Sequence, residues 1–118
     1  MNDSSTHLRT VQADAAFAKA TALLEGHPTP KDLGRAARHC HEAALLGHIG
    51  AQYNLGLMYA KGIGLPQDSD LALIWLQHAA EGGEAKALGA IDALQHAQHS
   101  KDAPAAQSRQ NSLAVRRD

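Results

Sequence analysis

GAQYNLGLMYAKGIGLPQDSDLALIWLQHAAEGG, residues 50–83, reads as two helices joined by a turn. Ala51, Leu55, Met58 and Tyr59 recur at helical spacing and share one face. Gly62-Ile63-Gly64-Leu65-Pro66 then stops the helix. Glycine opens backbone angles that other residues avoid, and proline cannot carry a helix forward. Asp68 is placed to cap the next helix by accepting a bond from a free backbone N–H. Leu71, Ala72, Trp75, Leu76 and Ala79 form the apolar face of that second helix, and Gly82-Gly83 ends it.

The pattern occurs twice. Ala51 lands on Ala15, 36 residues earlier (51 minus 15). At the same offset Tyr53 falls on Phe17, Gly62 on Gly26, Pro66 on Pro30, Asp68 on Asp32, Ala72 on Ala36 and Gly83 on Gly47. Alanine matches are cheap in an alanine-rich chain, but Gly, Pro, Asp and Gly in order at one offset are not. A fixed period of this size marks a stacked repeat.

Ala51, Tyr53, Leu55, Gly56, Met58, Tyr59, Gly62, Gly64 and Asp68, followed by Ala72, Trp75, Ala79, Ala80 and Gly83, resemble the Sel1-like repeat, a relative of the tetratricopeptide repeat. The earlier copy departs from the pattern with His27-Pro28 for Ile63-Gly64, Ala20 for Gly56 and Leu23 for Tyr59. From Ala87 onward only a first helix remains, with Gly89 and Asp92 where Tyr and Gly would sit. The resemblance implies an all-α fold: a short right-handed α-solenoid of stacked antiparallel helix hairpins, about five helices. It also implies protein–protein contacts, often in a bacterial scaffold or regulator. Repeats are expected over 15–50 and 51–86, a final helix over 87–99, a loose stretch over 1–8 and a disordered tail over 100–118.

Composition narrows the function. The net charge of −1 offers no basic surface for nucleic acid. Cys40 is the one cysteine, so no internal disulfide forms and an oxidising compartment is not indicated. The N-terminus lacks the apolar core of a signal peptide, and no apolar run is long enough to span a membrane. The expected setting is the cytoplasm. Aromatics are 3% of the chain, and small side chains bury little area each.

Within the first unit, Val11, Ala15, Ala18, Ala22 and Leu23 keep helical spacing. Thr29, Pro30 and Asp32 give a helix start, with either Thr29 or Asp32 at the cap. Leu33, Ala36, Ala37, Cys40, Ala44 and Leu45 are expected to face inward. Cys40 shares the register of Leu76, which favours a buried thiol acting as a small apolar side chain. After Gly83, Ala85, Ala87, Leu88, Ile91, Leu94 and Gln95 continue a last helix. Leu113-Ala114-Val115 before two arginines is a possible docking segment, weighed against an unstructured end.

Eight histidines invite a metal hypothesis. His39, Cys40 and His41 are neighbours on a helix, point about 100° apart, and cannot close on one ion. Asp92, His96 and His99 share a face but lack a visible fourth group. Surface histidines are the simpler reading, with no metal and no cofactor. No nucleophile elbow, phosphate loop or carboxylate pair proposes catalysis.

What remains is surface. By analogy with tetratricopeptide geometry, the concave positions are Phe17, Thr21 and Glu25 from the first unit and Tyr53, Leu57 and Lys61 from the second. The third unit adds Gly89, Ala93 and His96. Phe17 and Tyr53, at one register, either anchor a partner's peptide or fill the gap between hairpins. The expected function is a non-enzymatic adaptor, scaffold or regulator binding a peptide or helix on this face. A small metal protein or hydrolase using the histidines is one alternative. The other is a self-associating unit, a weak homodimer through Val11, Ala15 and Ala18.

Overall fold

The computed structural model describes residues 2–97. The expected tail, its 113–115 segment and His99 lie outside the described residues. Among the described residues the chain forms helices and no strand. They are α1 (Asn2–Leu24), α2 (Pro30–Leu45), α3 (Ile49–Lys61), α4 (Ser69–Glu81) and α5, residues 85–97. α1 packs on α2 and α3 on α4, making two hairpins, and α2 lies against α3 to join them. The result is a short α-solenoid. α1 starts at Asn2, within the stretch over 1–8 that the sequence suggested was loose.

α2, α3 and α4 each start where a side chain replaces a missing backbone partner. Thr29 caps α2: its hydroxyl accepts from the Asp32 N–H while the Asp32 carboxylate accepts from the Thr29 N–H, both at 3.1 Å. Pro30 follows the cap, where its fixed φ suits a first turn. Asp68 caps α4 through the Leu71 N–H at 3.0 Å. His48 caps α3, with Nδ1 accepting from the Ala51 N–H at 3.0 Å.

The core is built from small residues. Ala16, Ala20, Ala36, Ala37, Cys40, Ala43, Ala44, Ala51, Leu55 and Met58 form one buried cluster across α1, α2 and α3. Leu76, Ala79 and Ala87 form a second, with Tyr53, Leu57, Ile91 and Leu94 packed on it. That second cluster is how α5 covers the last hairpin. Leu55, Leu76 and Cys40 are the largest side chains fully withdrawn from water. Each leucine contributes about 1.5–3 kcal/mol on burial, each alanine much less. Stability therefore rests on many close helix contacts. At Gly56 an added Cβ would sit 2.7 Å from Leu76 Cγ and 3.2 Å from the Ala72 carbonyl oxygen, so α3 and α4 nearly touch there. Gly64, at φ 76°, backs directly onto the Leu33 carbonyl and ties the second hairpin's loop to α2.

One inward assignment, that of Leu45, is corrected. α1 buries Ala13, Ala16 and Ala20, while Val11, Ala15, Ala18 and Ala22 point to solvent. Alanine lies on both faces of α1, so periodicity did not distinguish them. Leu45 is 67% exposed, because α2 buries Ala43 and Ala44 instead. Leu88 is 63% exposed, and α5 packs through Ala87, Ala90, Ile91 and Leu94.

Candidate functional site

The two ring positions are used for stacking between units. Phe17 lies face to face with the His48 imidazole, centroids 4.2 Å apart and planes 25° apart. This joins α1 to the first turn of α3. Tyr53 packs against the Leu76–Ala79–Ala87 cluster, and Lys86 Nζ lies 5.7 Å from its ring centre. Both rings are half-buried. Packing between hairpins accounts for their placement.

Leu57 and Lys61 of the expected set do come together. They line a hollow of about 220 Å³ with Leu24, Asn54, Met58 and Ile63. Leu24 ends α1, Ile63 belongs to the loop after α3, and the other four lie along one side of α3. Leu24, Leu57, Met58 and Ile63 make the walls apolar. Asn54 is half-buried, and its side-chain amide has no hydrogen-bond partner among the described residues. Lys61 is exposed and makes no ion pair among them. Sequence reasoning missed Leu24, Asn54, Met58 and Ile63. The only signal for Asn54 was its place on the same helix face as Leu57 and Lys61.

Thr21, Glu25 and His96 stand outside this hollow. The Thr21 hydroxyl donates to the Ala18 carbonyl oxygen at 3.0 Å, within its own helix. Glu25 follows Leu24 and is exposed. His96 is exposed on α5, its Nδ1 3.6 Å from the Asp92 carboxylate. Gly89 and Ala93 are exposed on the same helix.

The histidines among the described residues do not converge. Among the described residues no three His, Cys, Asp or Glu side chains form a group that would hold a metal. His39 and His78 each face a glutamate three residues on, Glu42 and Glu81. Cys40 is fully buried, and desolvation pushes its thiol up to about 11. It stays protonated at neutral pH and is no nucleophile. No helix among the described residues is long and apolar enough to cross a membrane.

Two hairpins stacked through alanine, with an open apolar hollow along α3, define a helical-repeat protein. The Sel1 repeat model matches residues 13–48 and 49–84, and the chain belongs to that family, whose members are generally protein-interaction modules. The matched units start 36 residues apart, the period read from the sequence, and two residues ahead of the frames expected from it. The chain is similar to the crystal structure of a Sel1 repeat protein from Oxalobacter formigenes, with 40% sequence identity and a TM-score of 0.65. That likeness covers 70% of this chain and 24% of the other, so this chain spans about a quarter of that protein's length.

Proposed function

We propose that this chain is a non-enzymatic adaptor or regulatory module that receives a segment of another protein along the side of α3 between α1 and α5. The observation that carries this reading is the hollow lined by Leu24, Asn54, Leu57, Met58, Lys61 and Ile63. It is apolar, large enough for one bulky side chain, and edged by polar groups that find no partner among the described residues. The single buried thiol suits a reducing compartment, so the reading places the module in the cytoplasm.

A photo-crosslinking residue at position 57, compared with one at the exposed Ile74 on α4, tests this in the native cell. Capture of a protein from position 57, lost when Lys61 and Asn54 are both replaced by alanine, supports the groove. Capture from position 74 alone moves the interaction to the opposite face.

One observation favours self-association as a second reading. Leu8, Val11 and Leu45 are 57%, 49% and 67% exposed, and Leu45 lines a hollow of about 460 Å³ with Ala15, Ala16, Leu46 and the polar Gln12, Lys19 and Glu42. Apolar surface of this kind pairs readily with a second copy. Sedimentation at several protein concentrations decides it. A mass that stays monomeric throughout, and is the same for Val11→Glu, removes this reading.

A further inference from the structure

We infer that two copies of this chain pair across the α1–α2 face, about a two-fold axis that sets Lys19 of each copy on Glu42 of the other. This rests on the self-association reading above and adds the geometry and the charges of the contact.

Repeat register shows what this face is. Lys19 stands 36 residues before Leu55 (55 minus 19), and Ala15 stands at the same offset before Ala51. Leu55 and Ala51 are fully buried in the cluster that joins α3 to α1 and α2. Lys19 and Ala15 are exposed. The side that α3 turns to the first hairpin is therefore uncovered on α1. Another hairpin laid on α1 in the same manner would bury the Lys19 ammonium where the second unit buries a leucine, and an unpaired buried charge is costly. Continuing the solenoid head to tail is a poor way to cover this face.

A second copy turned about a two-fold axis supplies what Lys19 lacks. Lys19 and Glu42 line the same hollow, one from α1 and the other from α2. They do not pair within the chain. Glu42 meets His39, three residues back on its own helix, at 3.5 Å, and Lys19 has no anionic partner among the described residues. Opposite charges held apart on one surface exchange partners when that surface meets its own copy about an axis midway between them. Each lysine then meets a glutamate, and the pair forms twice. The rest of the contact is apolar. Leu8, Val11 and Ala15 follow one another along α1 at i, i+3 and i+7, all exposed, and Leu45 stands out from the end of α2.

Sedimentation equilibrium of the full chain, of Lys19→Glu, of Glu42→Lys and of an equimolar mixture of the two variants tests the inference. The parent's mass is expected to rise with concentration and level at twice the monomer. Each variant alone sets like charges together at both contacts and associates about tenfold more weakly. The mixture sets opposite charges together at both contacts and regains the parent's association, as a dimer of one of each. Added salt weakens the parent and the mixed dimer alike. Variants that associate as the parent does, while Val11→Glu does not associate, overturn the exchanged pair and leave the self-association reading standing. Variants weakened alone and not restored by mixing do the same. A mass that climbs past the dimer marks head-to-tail stacking and overturns the two-fold arrangement. A parent that stays monomeric overturns both readings. Circular dichroism of each variant, matching the parent, keeps misfolding from imitating lost association.

Discussion

The His48 ring holds two repeat units together by touching Phe17 with its face and the Ala51 N–H with its edge. Its Nδ1 accepts the capping bond, which leaves the ring proton on Nε2, 3.4 Å from the Asp14 carboxylate on α1. One side chain thus starts a helix in the second unit and grips a helix in the first. His48→Ala removes both and is expected to cost about 1–2 kcal/mol. His48→Asn keeps a capping acceptor, loses the stack, and falls between. Urea unfolding of the three proteins checks the order. Equal stability of Asn and Ala variants would assign the whole effect to the stack.

Close approach of α3 and α4 makes Gly56 intolerant of a methyl group. The added Cβ meets the branched end of Leu76 and the Ala72 carbonyl oxygen together. Gly56→Ala is expected to destabilise by about 1–3 kcal/mol, although alanine is the better helix former. Pairing it with Leu76→Ala should recover part of the loss. Additive costs in that double-mutant cycle would show that the two residues do not clash.

The capping box at the start of α2 ties stability to acid. Bonds from the Thr29 N–H and hydroxyl, then the charges of Arg35 and Lys31, hold the Asp32 carboxyl below its usual range. A depressed folded value means the contribution is present above the unfolded value of about 3.9 and is lost as pH falls through the folded one. The stability gap between the parent and Asp32→Asn is therefore flat at neutral pH and closes below pH 4 or so. A gap that persisted unchanged at low pH would exclude the carboxylate as its source.

Cys40 should be chemically silent. It is buried and its thiol titrates near 11, so a thiol reagent at mildly alkaline pH reacts only as fast as the chain opens. The prediction is slow modification in buffer and rapid modification in urea. Cys40→Ser, which buries a hydroxyl among alanines, is expected to cost about 1–3 kcal/mol. Fast labelling of the folded protein would contradict the burial.

Much of the fold was legible because turns leave sharp marks. Gly62, Pro66 and Asp68 repeat Gly26, Pro30 and Asp32 at one offset, and Cys40 takes the place of Leu76 in both register and burial. The inward face of α1 was not legible. With alanine on both sides of the helix, only contact with α2 and α3 selects Ala13, Ala16 and Ala20. The hollow was legible at two of its six lining residues. Leu57 and Lys61 follow from repeat register, whereas Leu24 and Ile63 arrive from the end of one helix and the loop after another, a proximity that no local pattern encodes.

The paired alanine faces of α1 carry a kinetic consequence. Turning that helix half a revolution would exchange one row of methyl groups for another of the same size, with little difference in fit. What fixes its azimuth is the bulkier Phe17 wedged beneath His48, together with Leu23 and Leu24 near its end. α1 should consequently be the first helix to release its amide protons to solvent. Truncating Phe17 to alanine should loosen it further while leaving the α3–α4 pair protected.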